Sequence, residues 1–299
     1  MPTISTASAD DRHLAAVDLR AWLAEAGRDL PWRRTRDPWA IVVSELMLQQ
    51  TQVDRVVPRW HRFLDRFPTV EVCAGASPAD VIDEWSGLGY NRRAVNLHRL
   101  AVAVADEHGG RFPRDRSVLE ALPGVGPYTS RAIRVFAFEQ PDAVLDTNVA
   151  RILARSAGRS LGRAEAQAMA DANLGPSPWH HNQAMLDVGA GWCRPRDPGC
   201  ERGCPLRSVC RWAAAGRPDP DPATGSAGVS GRQSRFEGSD RQGRGRLVDA
   251  LRAGPVSGRD LAATMGWADD PDRARRVAAT LVADGLAVEG PDGALRLPG

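Results

Sequence analysis

Two carboxylates stand in segments that could place them for acid and base chemistry, and the first is Glu45. It lies in RDPWAIVVSELMLQQTQV, where Asp37 and Pro38 predict the start of a helix. Ile41 and Leu48 are about one turn away on either side, so desolvation among apolar neighbours would favour the protonated form. A general acid needs that form. For Glu45 alone, a partly exposed position at the edge of an amphipathic helix is the alternative.

The second carboxylate, Asp146, comes where a loop meets the helix predicted for AVLDTNVARILAR. Taken alone, it is a helix N-cap. An N-cap Asp can also face a cleft, and together with Glu45 it would provide the two carboxylates that cleave a glycosidic bond. One acid then protonates the leaving group, while one anion stabilises the oxocarbenium-like sugar. The distance between the two side chains is not fixed by the sequence.

Four of the five cysteines fall in one short segment, CRPRDPGCERGCPLRSVC, with the spacing C-x6-C-x3-C-x5-C. Four thiolates in one loop can hold zinc or an iron–sulfur cluster, and the spacing does not choose between them. The clustering indicates a metal centre rather than disulfides. The four are Cys193, Cys200, Cys204 and Cys210, and Cys73 stands alone.

A helix–turn–helix is predicted for SVLEALPGVGPYTSRAI. Ser117 and Glu120 form a capping box for the first helix, and Gly124 ends it. Gly126 permits an unusual backbone angle, and Pro127 suits the first turn of the second helix. Backbone N–H groups at such a helix start bind an anion such as a DNA phosphate. An ordinary turn between two helices is the alternative.

The segments that must position these groups are helical. From about Leu14 to Trp212, apolar residues recur with a period of 3.6, and few stretches alternate for long enough to be strands. The sequence therefore predicts an all-α core, and 299 residues leave room for a second, smaller domain. We expect a flexible tail at 1–13, a core at 14–212 with the cysteine cluster at 193–210, a linker at 213–243 and a C-terminal module at 244–299.

The C-terminal module reads as three short helices followed by a Gly-bearing hairpin, which is typical of a winged helix. Such modules often bind DNA through one helix, and Arg273, Arg275 and Arg276 would suit a phosphate-contacting face. A packing or partner-docking module with a solvated charged helix is the alternative.

The composition excludes one kind of chemistry. All 39 basic residues are Arg, so no lysine can form a Schiff base. Arginine suits bidentate phosphate contacts, although a GC-rich genome would also replace Lys, and the formal net charge is only +2. The N-terminus lacks an apolar signal segment, and no stretch approaches the ~18 apolar residues of a membrane helix, so we expect a soluble cytoplasmic protein.

These segments occur in an order that closely resembles the MutY-type adenine DNA glycosylases of the endonuclease III-like helix-hairpin-helix superfamily, from Leu19 to Cys210. MLQQTQV and GLGY carry the resemblance more specifically than the hairpin does. A thymine or uracil mismatch glycosylase on the same scaffold is the nearest rival, and a non-catalytic DNA-binding protein is another. The quoted segments are LPWRRTRDPWAIVVSELMLQQTQV, EWSGLGYNRRAVNLHRLA, LPGVGPYTSRA, DTNVARILAR and NQAMLDVGA.

The resemblance implies a fold of two helical subdomains with an iron–sulfur loop and, as its activity, the excision of adenine mispaired with 8-oxoguanine or guanine in base excision repair. Glu45 would protonate the adenine ring nitrogen and later help activate water. Asp146 would stabilise the sugar cation, with a transient covalent bond as an option, and Asn148 would help position it. Gln49 and Gln50 match residues that work in the duplex near the extruded base.

Further implications concern the hairpin, the cluster and the partners. Tyr128 stands where bifunctional relatives carry Lys, which implies base release without strand cleavage. Tyr90, Gly124 and Gly126 are further candidates for DNA contact. The four clustered cysteines would bind a [4Fe–4S] cluster, although Gly203 makes a spacing of three where the family usually has two.

The implied partner is double-stranded DNA with a mismatched or oxidised base pair. We expect a monomer, associated with the nucleoid and not with a membrane. The C-terminal segment is too short for the Nudix-like domain with which many members read 8-oxoguanine. We therefore expect the appended module to supply DNA affinity instead.

Overall fold

A computed structural model describes residues 12–227 and 235–299, so the predicted tail lies outside the described residues except for Arg12 and His13. The regular secondary structure of the described residues is almost entirely helical, which confirms the all-α prediction. Within it, no helix is both long and apolar enough to cross a lipid bilayer. The helices are α1 (Arg20–Ala26), α2 (Pro38–Leu48), α3 (Val53–Arg66), α4 (Val70–Ala74), α5 (Pro78–Glu84), α6 (Arg92–His108), α7 (Arg116–Ala121), α8 (Pro127–Phe136), α9 (Thr147–Ala157), α10 (Arg163–Ala172), α11 (Pro178–Gly191), α12 (Arg211–Ala214), α13 (Asp240–Ala253), α14 (Leu261–Met265) and α15 (Pro271–Ala283).

Two compact units make up the chain, and each is discontinuous in sequence. Unit 1 consists of Met1–Pro38 and Pro127–Arg232, and unit 2 of Trp39–Gly126 and Gln233–Gly299. The C-terminal segment expected as an appended module therefore belongs to unit 2.

The core of unit 1 is built around α9, which packs against α10, α11 and α12. Leu153 and Ala154 of this helix are fully buried. The N-terminal segment is held by Asp187 of α11, whose buried carboxylate accepts from Arg28 Nε at 2.6 Å and from Arg33 Nη2 at 2.8 Å. Burial alone would raise the pKa of Asp187, but the hydrogen bonds and charges of the two arginines outweigh it and lower the pKa.

In unit 2, α2 is buried on every side rather than amphipathic, because each residue from Trp39 to Met47 is buried. A helix that is apolar all round must lie inside the fold. Two tryptophans find partners for their indole N–H groups: Trp39 donates to Phe67 O at 2.9 Å, and Trp60 donates to Ala40 O at 2.8 Å. The alternative of a partly exposed Glu45 on an amphipathic edge is therefore wrong.

The C-terminal segment contains α13, α14, α15 and an antiparallel hairpin of β1 (Val288–Glu289) and β2 (Leu295–Arg296). An isolated bridge joins Val256 to Leu295. This order agrees with the expected three helices and hairpin, and the winged-helix class stays a prediction. The segment is fixed to α5, since Arg252 donates to Ile82 O at 2.9 Å and Ala79 N donates to Pro298 O at 2.9 Å.

The domain limits stay predictions, but ordered structure reaches into the expected linker from both sides. On the unit 1 side, Asp221 forms an ion pair with the buried Arg155 at 2.5 Å, and Ala227 N donates to Leu161 O at 3.1 Å. On the other side, α13 begins at Asp240, four residues before the predicted module, with Ser239 as its N-cap.

Candidate active site

Glu45 lies in the last two turns of α2 in unit 2, and only 7% of its surface is exposed. Carboxylates are rarely buried to this extent unless they are paired or functional. The structure thus buries Glu45, and burial is the condition on which the general-acid prediction depends. Its role remains a prediction.

Asp146 is the N-cap of α9 in unit 1, as its sequence position predicted. Its Oδ1 accepts from Val149 N at 2.7 Å, which satisfies a free N–H of the first helical turn. Its Oδ2 accepts from Asn148 Nδ2 at 2.9 Å. One oxygen thus holds the carboxylate on the helix, while the other is oriented by Asn148. The structure brings these two candidate residues together.

Asn148 is oriented by Arg151, a residue that was not predicted as part of the site. Its Nη2 donates to Asn148 Oδ1 at 2.7 Å and to Gly189 O at 2.8 Å, and its Nε donates to Cys193 O at 2.6 Å. A Cβ on Gly189 would lie 2.6 Å from Asn148 Cβ, so only glycine fits there. The spacing of Asn148 and Arg151, three residues apart on one helix face, was the available signal. A chain of hydrogen bonds therefore runs from the first cysteine to Asp146.

The four clustered cysteines line one small pocket in unit 1, and none forms a disulfide. Burial raises the pKa of the Cys204 thiol to about 11 and also raises that of Cys193. Arg155 Nη1 donates to Cys193 Sγ at 3.4 Å, and Cys210 Sγ donates to Arg155 O at 3.5 Å. The Arg155 guanidinium carbon also lies 4.7 Å from the ring centroid of Trp212.

The four thiols and their neighbours are compatible with a metal cluster, whose identity stays a prediction. Within the described ranges, no three His, Cys, Asp or Glu side chains are gathered as ligands of one metal ion. In a [4Fe–4S] cluster each of four thiolates binds a different iron, so the cysteines surround a common space rather than meet at a point. A guanidinium beside the thiolates suits the negative charge of such a group. Gly203, the extra residue, takes a left-handed φ of 83° with open space beyond it, which accommodates the longer spacing.

Gln49 and Gln50 follow α2, and Tyr90 ends the GLGY segment. Gln50 and Tyr90 are both left-handed, with φ of 57° and 47°, although neither is glycine. Such residues are uncommon and concentrate at functional sites, because the surrounding structure must offset their strain. Tyr90 is also 42% exposed. The two candidate DNA-contacting loops thus share an unfavourable backbone conformation.

Arg93 holds these two loops together. Its buried guanidinium donates from Nη1 to the main-chain oxygens of Leu46, Met47 and Gln49, and from Nη2 to Leu88 O and Gly89 O. Burial lowers the pKa of Arg93 to about 10, so it remains charged at neutral pH. Its position two residues after GLGYN gave no sign of this role.

The hairpin residues differ in part from expectation. Asp115, not Ser117, caps α7, and its Oδ1 accepts from Ser117 N at 2.8 Å. Gly124 has the left-handed φ of 78°, and a Cβ there would lie 2.8 Å from Asn96 Cβ. Gly126 does not take a left-handed φ, so its predicted conformational role is wrong, but the space beside it is open.

Tyr128 is half-buried in the first turn of α8 in unit 1. Asp146, Asn148 and the four clustered cysteines belong to the same unit. The remaining candidates, Glu45, Gln49, Gln50, Tyr90, Gly124 and Gly126, belong to unit 2.

Comparison with known proteins decides the family. Residues 43–174 match the model of the HhH-GPD superfamily base excision DNA repair proteins. The adenine DNA glycosylase of Mycolicibacterium smegmatis is 41% identical over 297 residues, with coverage of 96% of this chain and 97% of that protein. The chain belongs to the adenine DNA glycosylase family. The family member of Mycobacterium tuberculosis is 40% identical over 298 residues, covering 96% of this chain and 95% of that protein.

The fold of this adenine DNA glycosylase family member is similar to that of a solved structure. A thermostable thymine-DNA glycosylase superposes with a TM-score of 0.60 at 29% identity, covering 69% of this chain and 95% of that one. The predicted helix-hairpin-helix glycosylase fold is therefore confirmed, as is the predicted family.

Proposed function

We propose that this protein is a monofunctional adenine DNA glycosylase that hydrolyses the N-glycosidic bond of adenine mispaired with guanine or 8-oxoguanine in double-stranded DNA. The single observation that carries the proposal is the 41% identity to an adenine DNA glycosylase over nearly the whole chain. The buried acid Glu45 in unit 2 and the oriented carboxylate of Asp146 in unit 1 support it, because glycosidic cleavage needs two groups of these kinds.

The proposed mechanism assigns each step to a named group. The adenine is first extruded from the duplex. The protonated Glu45 carboxyl then donates its proton to the base, which makes the base a better leaving group. Asp146 stabilises the positive charge that develops on the sugar, with its carboxylate held by Val149 N and Asn148 Nδ2. Glu45, now a carboxylate, takes a proton from water as water attacks the sugar. Adenine and an abasic site are the products.

Two further features of the chain bear on the mechanism. Without a lysine in the whole sequence, Tyr128 offers no amine to form a Schiff base, so the strand stays intact. Cys193, Cys200, Cys204 and Cys210 would hold a [4Fe–4S] cluster, which would fix the loop that carries the Cys193 carbonyl. Arg151 donates to that carbonyl and to Asn148, so the same loop supports the orientation of Asp146.

The test is base release from otherwise identical duplexes that carry adenine opposite 8-oxoguanine, guanine or thymine, or thymine opposite guanine. We expect adenine release opposite both guanines, no strand cleavage beyond an untreated abasic control, and loss of release in Glu45→Gln. Glu84→Gln is the matched control, because Glu84 is also a buried glutamate of unit 2 and is paired with Arg62 rather than placed in the site. Release by Glu45→Gln at the wild-type rate would contradict the mechanism.

A second candidate function is thymine release, which the similarity to a thymine-DNA glycosylase structure favours. Thymine release opposite guanine without adenine release would establish it. The ratio between 8-oxoguanine and guanine as partner would give the opposite-base preference. We further propose that the protein works as a monomer on nucleoid DNA in the cytoplasm, which gel filtration with and without DNA and imaging of the labelled protein would test.

A further inference from the structure

A cleft of about 850 Å³ lies within unit 2 between the Gln49–Gln50 and GLGY loops on one side and the C-terminal segment on the other. The first wall is formed by the strained Gln50 and Tyr90. The second wall is formed by Phe236 and by Arg241 and Arg244 of α13. The C-terminal segment therefore adds a surface directly beside residues predicted to work in the duplex.

The cleft is electropositive, although the whole chain is almost neutral. Its ionisable lining consists of five arginines and one aspartate, a formal charge of +5 − 1 = +4. The net charge of the chain is +2 over 299 residues. Such a local concentration of one sign attracts a polyanion. The lining charges are Arg55, Arg92, Arg93, Arg241, Arg244 and Asp284.

Two exposed aromatic rings face this charge. Tyr90 is 42% exposed and Phe236 is 58% exposed, and both line the cleft. Arg241 joins them, since its Nη1 donates to Tyr90 Oη at 3.3 Å and its guanidinium carbon lies 5.9 Å from the Phe236 ring centroid. Exposed aromatic faces interleaved with guanidinium groups are how proteins bind unpaired bases and their phosphates together.

We propose that the C-terminal segment makes this cleft a binding site for one strand of the DNA, with Phe236 stacking on a base and Arg241 contacting a phosphate. The proposal rests on the proposed function only in taking DNA as the partner. It makes the C-terminal segment the second wall of a strand-binding cleft rather than an independent DNA reader.

The other face considered for the C-terminal segment is less suited to phosphate. Arg273 of α15 is paired with Asp240 at 2.7 Å and lies 4.0 Å from the Trp267 ring centroid, and Arg275 is paired with Asp272. On α15 each of these arginines has its own acidic partner, whereas in the cleft Asp284 pairs with both Arg92 and Arg244 and is the one carboxylate among five arginines. The expectation that α15 presents the phosphate-contacting face is therefore the competing outcome of the test.

The experiment measures the Kd of the full-length protein for a duplex carrying a stable abasic analogue, which holds no base to be released. Fluorescence anisotropy is recorded over a range of salt concentrations. Phe236→Ala is expected to weaken binding at least about fivefold, with recovery in Phe236→Tyr. Arg241→Gln is expected to weaken binding and to reduce the slope of log K against log salt by about 0.7 to 0.9. Matched controls are Val72→Ala, an exposed apolar residue of α4 in unit 2, and Arg163→Gln, an exposed arginine of α10.

The outcomes separate this proposal from the proposed function. Equal loss of binding in the cleft variants and their controls, or an unchanged salt slope in Arg241→Gln, would overturn the cleft. Weakening by Arg275→Ala and Arg276→Ala alone would place the DNA on α15 and overturn it as well. Adenine release by the wild-type protein is measured separately. If no adenine is released but binding depends on Phe236 and Arg241, the proposed function fails and the cleft stands.

Discussion

Arg93 Nη1 donates to Gln49 O at 2.7 Å, while Nη2 of the same guanidinium donates to Gly89 O at 2.9 Å. A single buried cation thus fixes the two loops that carry the strained Gln50 and Tyr90. Both loops are irregular, so within the described chain no neighbouring N–H of a helix or sheet donates a hydrogen bond to these carbonyl oxygens. Buried carbonyl oxygens nearly always accept a hydrogen bond, and here Arg93 donates it.

Arg93→Met is therefore expected to lower the free energy of unfolding by at least about 3 kcal/mol, because it leaves several buried carbonyls without donors. Urea denaturation measures this change. Arg92→Met is the matched control, since Arg92 is 66% exposed with one ion pair, and a change below about 1 kcal/mol is expected there. Equal midpoints for Arg93→Met and the wild type would refute the role given to Arg93.

Asp146→Asn separates the capping role of Asp146 from its charge. Asn caps helices about as well as Asp, so the free energy of unfolding should fall by less than about 1 kcal/mol. Adenine release should fall by about 10²-fold or more, because the variant lacks the anion that stabilises the sugar cation. Single-turnover base release and thermal unfolding give the two readouts. A loss of release explained entirely by unfolding would contradict a catalytic role.

His181 predicts a pH dependence of stability. It is buried beside Val144 and Met185 in unit 1, and burial lowers its pKa from 6.5 to about 4. Between these values the unfolded chain takes up a proton that the folded protein does not. The free energy of unfolding should therefore fall as pH drops from 6.5 to 4, by up to about 3 kcal/mol from this residue.

Denaturant titrations at several pH values, for wild type and His181→Gln, measure the contribution of His181 as a difference. The variant should lose the part of the slope that lies between pH 6.5 and 4. His61→Gln, an exposed histidine of α3, should keep it. The same slope in all three proteins would show that His181 does not titrate in this way.

The cysteine pocket predicts an iron content of about four atoms per chain, with absorption in the visible range. Cys204→Ser should lose most of the iron, because it removes one of the four lining thiols. Cys73→Ala is the control, since Cys73 is a lone buried cysteine of α4 in unit 2 and should leave the iron unchanged. Zinc in place of iron in the wild-type protein would show that the cluster assignment is mistaken.

Local patterns predicted the parts of the fold that depend on nearby residues. The apolar period of 3.6 predicted the helices, and the short polar side chain before a helical run predicted Asp146 as an N-cap. The role of Asn148 beside it was implied by the family resemblance and not by the local pattern. The same kind of reasoning failed at α7, where both Asp115 and Ser117 are good capping residues. The choice between them depends on where the helix starts, which the composition of the segment does not determine.

Contacts between distant segments were not predictable. Arg151 meets Gly189 and Cys193 only because α9 packs against α11, and a helical arginine has no sequence mark that separates such a buried role from an exposed one. The packing of the C-terminal segment was missed for the same reason. Its basic and apolar residues fit an independent module equally well, and only the fold places Arg252 on the carbonyl of Ile82.

The discontinuous units have a consequence for synthesis. Helices α2 to α7 leave the ribosome early, yet the amide of Ala79 and the carbonyl of Ile82 meet their partners only when residues 235–299 have also emerged. Unit 1 receives the described residues of its second segment, 127–227, before that point. Because synthesis proceeds from the N-terminus, unit 1 should be complete first. The α2–α7 part of unit 2 should lack its C-terminal partner segment until the end of synthesis. Until residues 235–299 are synthesised, the α2–α7 part of unit 2 exposes apolar surface, and a chaperone would act during this interval.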